Sequence, residues 1–95
     1  MNDPDGHAPV LTNVQHVGNR IRIKWFDNAL ADSEFRIYRQ LNNNAFSQIA
    51  VIDSAYFQYY DDYVFVDSTN VTYYVETYTP EFSQQSNLLE IIIEP

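Results

Sequence analysis

The sequence contains no cysteine and only two histidines. The lack of cysteine excludes disulfide bonds, cysteine-ligated zinc and thiol chemistry, so packing must supply the stability of the fold. His7 lies in a polar N-terminal stretch and His16 near the end of a predicted strand, and neither has a second ligand at a recognisable spacing. We therefore interpret both as surface histidines and predict no metal site and no cofactor.

Motifs for catalysis or calcium binding are also missing. No serine lies in the G-x-S-x-G pattern of a nucleophile elbow. The stretch 3–6 (Asp-Pro-Asp-Gly) begins like a calcium loop, but the twelfth position is Val14 where such a loop needs a glutamate. We interpret Asp61 and Asp62 as turn caps or acceptors of backbone N–H bonds. A glycosidase-type carboxylate pair needs a shaped cleft, for which a sandwich of this size has little material. The chain is predicted not to be an enzyme.

Basic residues are scarce, with 5 Lys and Arg against 13 Asp and Glu, which gives a net charge of -8. Such a field repels phosphate backbones and anionic lipid surfaces. No apolar run approaches the roughly 18 residues of a membrane span, and residues 1–9 lack the profile of a signal peptide. We expect neither nucleic acid nor membrane insertion, and expect any secretion signal to lie elsewhere in a parent chain.

What the sequence does contain is aromatic residues, at 16% of the chain, and apolar residues that alternate with polar ones. Period-two alternation is typical of strands with one buried face. It is clearest over 20–25, and it recurs over 35–38, 71–78 and 88–93, with weaker candidates at 10–17, 46–51 and 56–60. Polar turn stretches separate these strands, among them 18–19 (Gly18-Asn19), 27–33, 42–44 and 80–85. About seven short strands in 95 residues predict one all-β antiparallel sandwich.

Several segments resemble a fibronectin type III domain, in the variety common in bacterial surface proteins and secreted polysaccharide-degrading enzymes. They are Ile21-x-Ile23-x-Trp25, Phe35-Arg36-Ile37-Tyr38-Arg39, Phe46 to Ala50 followed by Tyr60-Asp61-Asp62, and Ser86-Asn87-Leu88-Leu89. The resemblance implies a seven-stranded immunoglobulin-like sandwich over residues 9–95, preceded by a flexible tail over 1–8. One position departs from the family, because the tyrosine of its tyrosine corner falls on Val71, with Tyr73 close by.

The family topology also implies a distinctive outer surface. It makes the third, sixth and seventh strands neighbours, and their outward residues are Arg36, Tyr38, Tyr74, Glu76, Tyr78, Leu88 and Ile92. Tyrosines suit strands in general, and an Arg36–Glu76 pair across the sheet would account for the charges. A contiguous aromatic patch is equally typical of an interaction surface. These seven residues are our predicted interaction face.

A second feature is the outward row Arg20, Arg22 and Lys24, which we interpret as solvated side chains paired with carboxylates across the sheet. Asn70-Val71-Thr72 matches the N-glycosylation sequon, which matters only in a eukaryotic secretory pathway.

Two functions fit these observations. The first is a non-catalytic spacer or domain-docking module of a larger secreted or cell-surface protein, whose partners are neighbouring domains or another protein. An odd number of up-and-down strands suits it, because the chain then enters and leaves the sandwich at opposite ends. The second is a carbohydrate-binding accessory module of a glycan-degrading enzyme, which would bind polysaccharide through Tyr38, Tyr74 and Tyr78.

Overall fold

The structure is a computed structural model that describes residues 9–18, 20–26, 34–53, 58–62, 69–78 and 83–93. Its strands are β1 Val10–Val17, β2 Arg20–Phe26, β3 Glu34–Leu41, β4 Ser47–Asp53, β5 Gln58–Asp61, β6 Asn70–Tyr78, β7 Ser83–Gln85 and β8 Leu89–Ile92. All of their pairings are antiparallel. The predicted all-β class is confirmed. The predicted tail over 1–8 lies outside the described residues, as do the turn at 27–33 and residues 56 and 57 of the fifth predicted strand.

Two sheets form the sandwich. The first has the order β1-β2-β5, and the second has the order β4-β3-β6, with β7 and β8 both paired to the far side of β6. The third, sixth and last strands are therefore neighbours, as expected. Within the described ranges, no helix has the length and apolar character that a membrane crossing requires.

The core forms where the inward faces of the two sheets meet. In β2 the apolar side chains Ile21, Ile23 and Trp25 are at most 4% exposed, while the charged residues between them face outward. The ring of Trp25 meets that of Phe35 on the opposite sheet edge to face, with centroids 5.4 Å apart. Burial of each such side chain contributes about 2 kcal/mol. The buried apolar set is Leu11, Ile21, Ile23, Trp25, Phe35, Ile37, Val71, Tyr73, Val75 and Ile93.

The segment before the last strand differs from the prediction. Residues 80–85 were expected to form a turn, but Ser83–Gln85 is the strand β7, which pairs with β6 through Gln84 opposite Thr77. Three polar residues give no alternation of apolar and polar side chains, so the pattern misses this edge strand. Because β7 and β8 lie along one side of β6, the eight segments occupy seven strand positions, and the predicted seven-stranded sandwich is confirmed.

Ser86 and Asn87 join β7 to β8 and explain why the strand is interrupted. The Ser86 hydroxyl accepts a 2.9 Å hydrogen bond from the Val75 N–H, in place of a backbone partner. The Asn87 side chain reaches β1 in the other sheet, where its Oδ1 accepts from the Leu11 N–H at 2.8 Å and its Nδ2 donates to the Leu11 carbonyl at 3.2 Å. The Asn87 amide thus makes the two hydrogen bonds that a neighbouring strand would make with Leu11, and it links the two sheets along one edge of the sandwich.

The two turns predicted at Gly18 and at 42–44 are confirmed. Gly18 has φ 63° and Asn42 has φ 55°, a region that glycine and asparagine adopt more readily than other residues. Asn42 also holds its hairpin to β6, since its N–H donates to the Asn70 carbonyl at 2.7 Å and its Oδ1 accepts from the Asn70 N–H at 3.1 Å.

The first and last strands leave the sandwich at opposite ends. Val10 is paired with Phe26, beside the Trp25–Phe35 contact between the sheets. Ile92 is paired with Asn70, at the far end of β6. The expected entry and exit at opposite ends is therefore confirmed.

We predict that Asn87→Ala lowers the free energy of unfolding by about 1–2 kcal/mol, because it leaves the Leu11 N–H and carbonyl without their partner. Urea denaturation measures this loss. The matched control is Asn43→Ala in an exposed turn, where the change should stay below about 0.5 kcal/mol. Equal losses in both variants would contradict the role of the Asn87 amide.

Candidate interaction surface

The outer side of the second sheet carries the predicted interaction face, which we call the tyrosine face: Arg36, Tyr38, Tyr74, Glu76, Tyr78, Leu88 and Ile92. The register places Tyr38 opposite Tyr74 and Arg36 opposite Glu76. The five residues on β3 and β6 are half-buried and contiguous. Ile92 lies on β8 opposite Asn70, Leu88 immediately precedes β8, and each is 50% exposed. The structure thus brings the five residues of β3 and β6 together, with Leu88 and Ile92 exposed beside β6.

The aromatic rings of this face pack against one another. Tyr38 and Tyr74 stack with centroids 4.6 Å apart and planes inclined by 12°. Phe46, which precedes β4, meets Tyr74 edge to face at 4.9 Å. Such contacts add about 0.5–1.5 kcal/mol each beyond simple burial. Because one ring face of Tyr38 lies against one ring face of Tyr74, neither ring has both of its faces open to a ligand.

The Tyr38 hydroxyl forms hydrogen bonds on the outer side of this sheet. The Tyr38 hydroxyl lies 3.1 Å from Glu76 Oε1 and 3.2 Å from Gln48 Oε1, and it donates its proton to one of them at a time. Loss of hydration, followed by the hydrogen bond to the Glu76 carboxylate, raises the pKa of Tyr38 above its ordinary value. The hydroxyl therefore remains a proton donor at neutral pH.

The cross-strand ion pair that was considered for Arg36 and Glu76 is not formed. Although the two residues are opposite in register, Arg36 Nε pairs with Glu34 Oε2 at 2.9 Å. The guanidinium carbon also lies 3.6 Å from the centroid of the Tyr78 ring. A cation–π contact and a carboxylate on the same side draw Arg36 away from Glu76, which is left to accept from Tyr38. The face is thus a fixed arrangement of stacked side chains.

A buried polar cluster that the sequence analysis did not identify lies between the two sheets. Arg39 Nη1 is 3.0 Å from both carboxylate oxygens of Asp61, and the Tyr73 hydroxyl donates to Asp61 Oδ2 at 2.6 Å. The Arg39 and Asp61 side chains are only 14% and 4% exposed. Arg39 and Tyr73 belong to the second sheet and Asp61 to the first, so this polar cluster links the two layers.

Asp61 therefore also has a role between the sheets that the sequence interpretation did not include, whereas the neighbouring Asp62 is exposed. A signal for the cluster was present, because alternation along β3 places Arg39 on the inward side together with Phe35 and Ile37. An inward arginine needs a buried anion, and Asp61 supplies it.

Tyr73 also explains the departure from the tyrosine-corner pattern. Val71, at the corner position, is fully buried in the core, and two residues later Tyr73 is fully buried too. Its hydroxyl bonds to a carboxylate in the other sheet rather than to the backbone. Burial, and then the bond to Asp61, raise the pKa of Tyr73 far above its ordinary value.

A pocket beside Arg39, lined by Arg39, Leu41, Asn44, Ala45 and Ser47, has a volume of about 190 Å³. Pockets that bind small molecules usually enclose about 300–1,000 Å³. Of the described residues, no three His, Asp or Glu side chains are grouped so that they could hold a metal ion. His16 is exposed on β1.

No family model matches the sequence, and no curated protein matches it. Solved structures do match. A β-1,2-glucanase from Parabacteroides distasonis superposes with a TM-score of 0.76 at 22% identity, over 93% of this chain and 13% of the glucanase. The pectate lyase PelI from Erwinia chrysanthemi, in complex with tetragalacturonic acid, gives 0.75 at 17% identity, over 87% of this chain and 28% of the lyase. A myokine gives 0.71 at 16% identity, over 93% and 97% of the two chains.

These likenesses establish the immunoglobulin-like sandwich fold. The chain spans 13% of the glucanase and 28% of the pectate lyase. It is a small β-domain that resembles one part of each of these enzymes and nearly the whole of the myokine.

We predict that Asp61→Asn destabilises the protein by about 3 kcal/mol, because the buried guanidinium of Arg39 loses the carboxylate with which it forms an ion pair. Asp62→Asn is the matched control, and since Asp62 is exposed its effect should stay below about 0.5 kcal/mol. Thermal and urea denaturation measure both. A loss at Asp61 no larger than the loss at Asp62 would contradict the account.

The raised pKa of Tyr73 predicts sensitivity to alkali. Below about pH 10 the hydroxyl is protonated in both the folded and the unfolded chain, so its ionisation does not affect stability. Above that pH the unfolded chain ionises first, and stability falls by up to about 1.4 kcal/mol per pH unit for this group. Tyr73→Phe should be less stable at neutral pH but lose less stability on going above pH 10. Identical pH slopes, measured by urea denaturation, would contradict this.

Proposed function

We propose that this chain is a non-catalytic module of the fibronectin type III kind, which spaces and docks the domains of a larger secreted or cell-surface protein. The proposal rests on how small a part of each matched enzyme the chain covers. About nine-tenths of this chain superposes on pieces that make up only 13% and 28% of two longer enzyme chains. A fold that recurs as a minor part of larger polypeptides suits an accessory role.

The direction of the chain supports the spacing role. The first strand begins beside Phe26 and the last strand ends beside Asn70, at opposite ends of the sandwich. Domains joined before and after such a module would be held apart by its length. Rigidity along that length comes from two contacts between the sheets, Trp25 on Phe35 and Asp61 on Arg39.

The tyrosine face supports the docking role. Its stacked rings and internal hydrogen bonds fix the side chains in advance, so little conformational entropy is lost when a partner covers them. Leu88 and Ile92 add exposed apolar surface on one side of β6, and Glu34 and Gln48 add polar groups on β3 and β4 on the other side. Aromatic and apolar side chains with polar groups around them are typical of protein interfaces. The partner we propose is the adjoining domain of the same polypeptide.

The second candidate is carbohydrate binding through Tyr38, Tyr74 and Tyr78. Two matched proteins act on glycans by name, which favours it. The geometry weighs against this use of the tyrosines, because a sugar stacks on an open ring face. Tyr38 and Tyr74 each present a face to the other, and the guanidinium of Arg36 covers a face of Tyr78. The ring contacts therefore favour docking.

Docking predicts that the tyrosine face is protected in the natural polypeptide. Hydrogen–deuterium exchange of β6 and β8 should be slower there than in the isolated chain. The double variant Leu88→Ser/Ile92→Ser should abolish that difference, whereas Val17→Ser on β1 should not. Val17 is a matched control because it is an apolar side chain, 36% exposed, on the other sheet. Equal exchange in both settings, or a natural polypeptide without a further domain, would contradict docking.

A glycan array tests the second candidate on the isolated chain. We expect that replacing Tyr38, Tyr74 and Tyr78 by alanine changes no glycan signal. Loss of a signal in that triple variant, with the fold intact by circular dichroism, would favour sugar stacking on the tyrosine face over docking.

A further inference from the structure

The outer side of the first sheet carries a row of positively charged side chains. Arg20, Arg22 and Lys24 alternate along β2 and face outward, and Phe26 continues the same row. Residues two apart on a strand lie about 7 Å apart, so the four side chains form a line about 20 Å long. We call Arg20, Arg22 and Lys24 the basic stripe.

The other two basic residues of the protein are neutralised. Arg36 pairs with Glu34, and Arg39 pairs with Asp61. The carboxylate partners expected for the basic stripe are not found among the described residues. Three positive charges therefore face outward together on a protein whose net charge is -8.

Neutral groups hold the two arginines in place. The guanidinium carbon of Arg20 lies 4.5 Å from the centroid of the Tyr60 ring on β5. Arg22 Nη2 donates to the side-chain oxygen of Gln15 on β1. A guanidinium fixed by uncharged neighbours keeps its affinity for carboxylates, which it can bind with two parallel hydrogen bonds.

An exposed aromatic ring ends the row. Phe26 is 62% exposed and lies opposite Val10, which is 50% exposed. Unlike Tyr38 and Tyr74, it has no ring contact within the described residues. An open ring in line with three cations offers two kinds of contact, namely an apolar face for the C–H groups of a sugar and positive charges for carboxylates.

We propose that the basic stripe and Phe26 bind a linear acidic polysaccharide, one whose sugars carry carboxylates, as uronic acids do. Such a polymer presents its carboxylates in a row along a semi-rigid chain, which matches a straight line of cations on a flat sheet. The site lies on the opposite sheet from the tyrosine face, so it is independent of the proposed docking.

A polysaccharide fits this site better than the other polyanions. Duplex nucleic acid carries one charge per about 1.7 Å, so the acidic remainder of the protein would repel it strongly. An acidic peptide has carboxylates but lacks the C–H face that a sugar offers to Phe26. A polysaccharide with one carboxylate per sugar carries its charges farther apart, so the acidic remainder of the protein repels it less, and at physiological salt this repulsion is largely screened beyond about 8 Å.

The test is affinity electrophoresis and calorimetry of the whole chain with polygalacturonate as the probe. We expect binding that weakens as salt is raised. The triple variant Arg20→Gln/Arg22→Gln/Lys24→Gln should bind about tenfold more weakly or worse, since three exposed charge pairs are lost. The variant Asn43→Asp/Ser83→Asp/Gln85→Glu is the matched control, because it makes the net charge equally negative at three exposed positions off the stripe. It should bind nearly as the unmodified chain does.

Two further variants keep the test decisive. Arg20→Gln/Lys24→Gln spares Arg22, which is half-buried, and should still weaken binding several-fold if the triple variant fails to fold. Phe26→Ser should weaken it without any change of charge.

Four results would overturn the proposal. The first three are no binding of polygalacturonate by the unmodified chain, equal losses in the stripe variant and its charge-matched control, and equal binding of poly-L-glutamate. Binding of fully methyl-esterified polygalacturonate with the same affinity would also overturn it, because that polymer lacks the carboxylates. None of these results bears on docking through Leu88 and Ile92.

Discussion

The contact on which this sandwich most depends is the buried carboxylate of Asp61. It accepts two hydrogen bonds of 3.0 Å from Arg39 and one of 2.6 Å from Tyr73. A buried ion pair adds little net stability, yet it is costly to break, so it acts mainly as a constraint on which arrangements are allowed. Because Asp61 lies on the first sheet and both partners on the second, only one alignment of the layers satisfies it. We infer that it fixes how the sheets face each other, with Trp25 against Phe35 at the other end.

That alignment determines the two outer surfaces. Once the inward positions of β3 are occupied by Phe35, Ile37 and Arg39, the positions between them must face outward, and these include Tyr38. The same reasoning sends the basic stripe of β2 to the opposite side. The molecule therefore has one aromatic, internally bonded surface and one positively charged surface, on an otherwise acidic protein. These two surfaces are consistent with a module that contacts a neighbouring domain through the tyrosine face and an acidic glycan through the basic stripe.

Much of this was predictable from period-two alternation, and the exceptions have physical causes. The sequence indicated β2, β6 and β8, the seven strand positions and the outward residues of the tyrosine face, because apolar and polar residues alternate there. It missed β7, whose residues Ser83–Gln85 are all polar. It also missed the pairing of Asp61 with Arg39, because alternation along β3 places Arg39 inward but does not indicate which residue of the other sheet lies opposite it. The stacking of Tyr38 on Tyr74 depends on strand register, which alternation alone does not fix.

The most direct test of the account is an experimental structure of the natural polypeptide that carries this domain. We predict that a neighbouring domain covers the tyrosine face, with Leu88 and Ile92 buried beneath it, while Arg20, Arg22, Lys24 and Phe26 stay open to solvent. A structure in which the tyrosine face is bare and no other domain touches it would contradict the docking role.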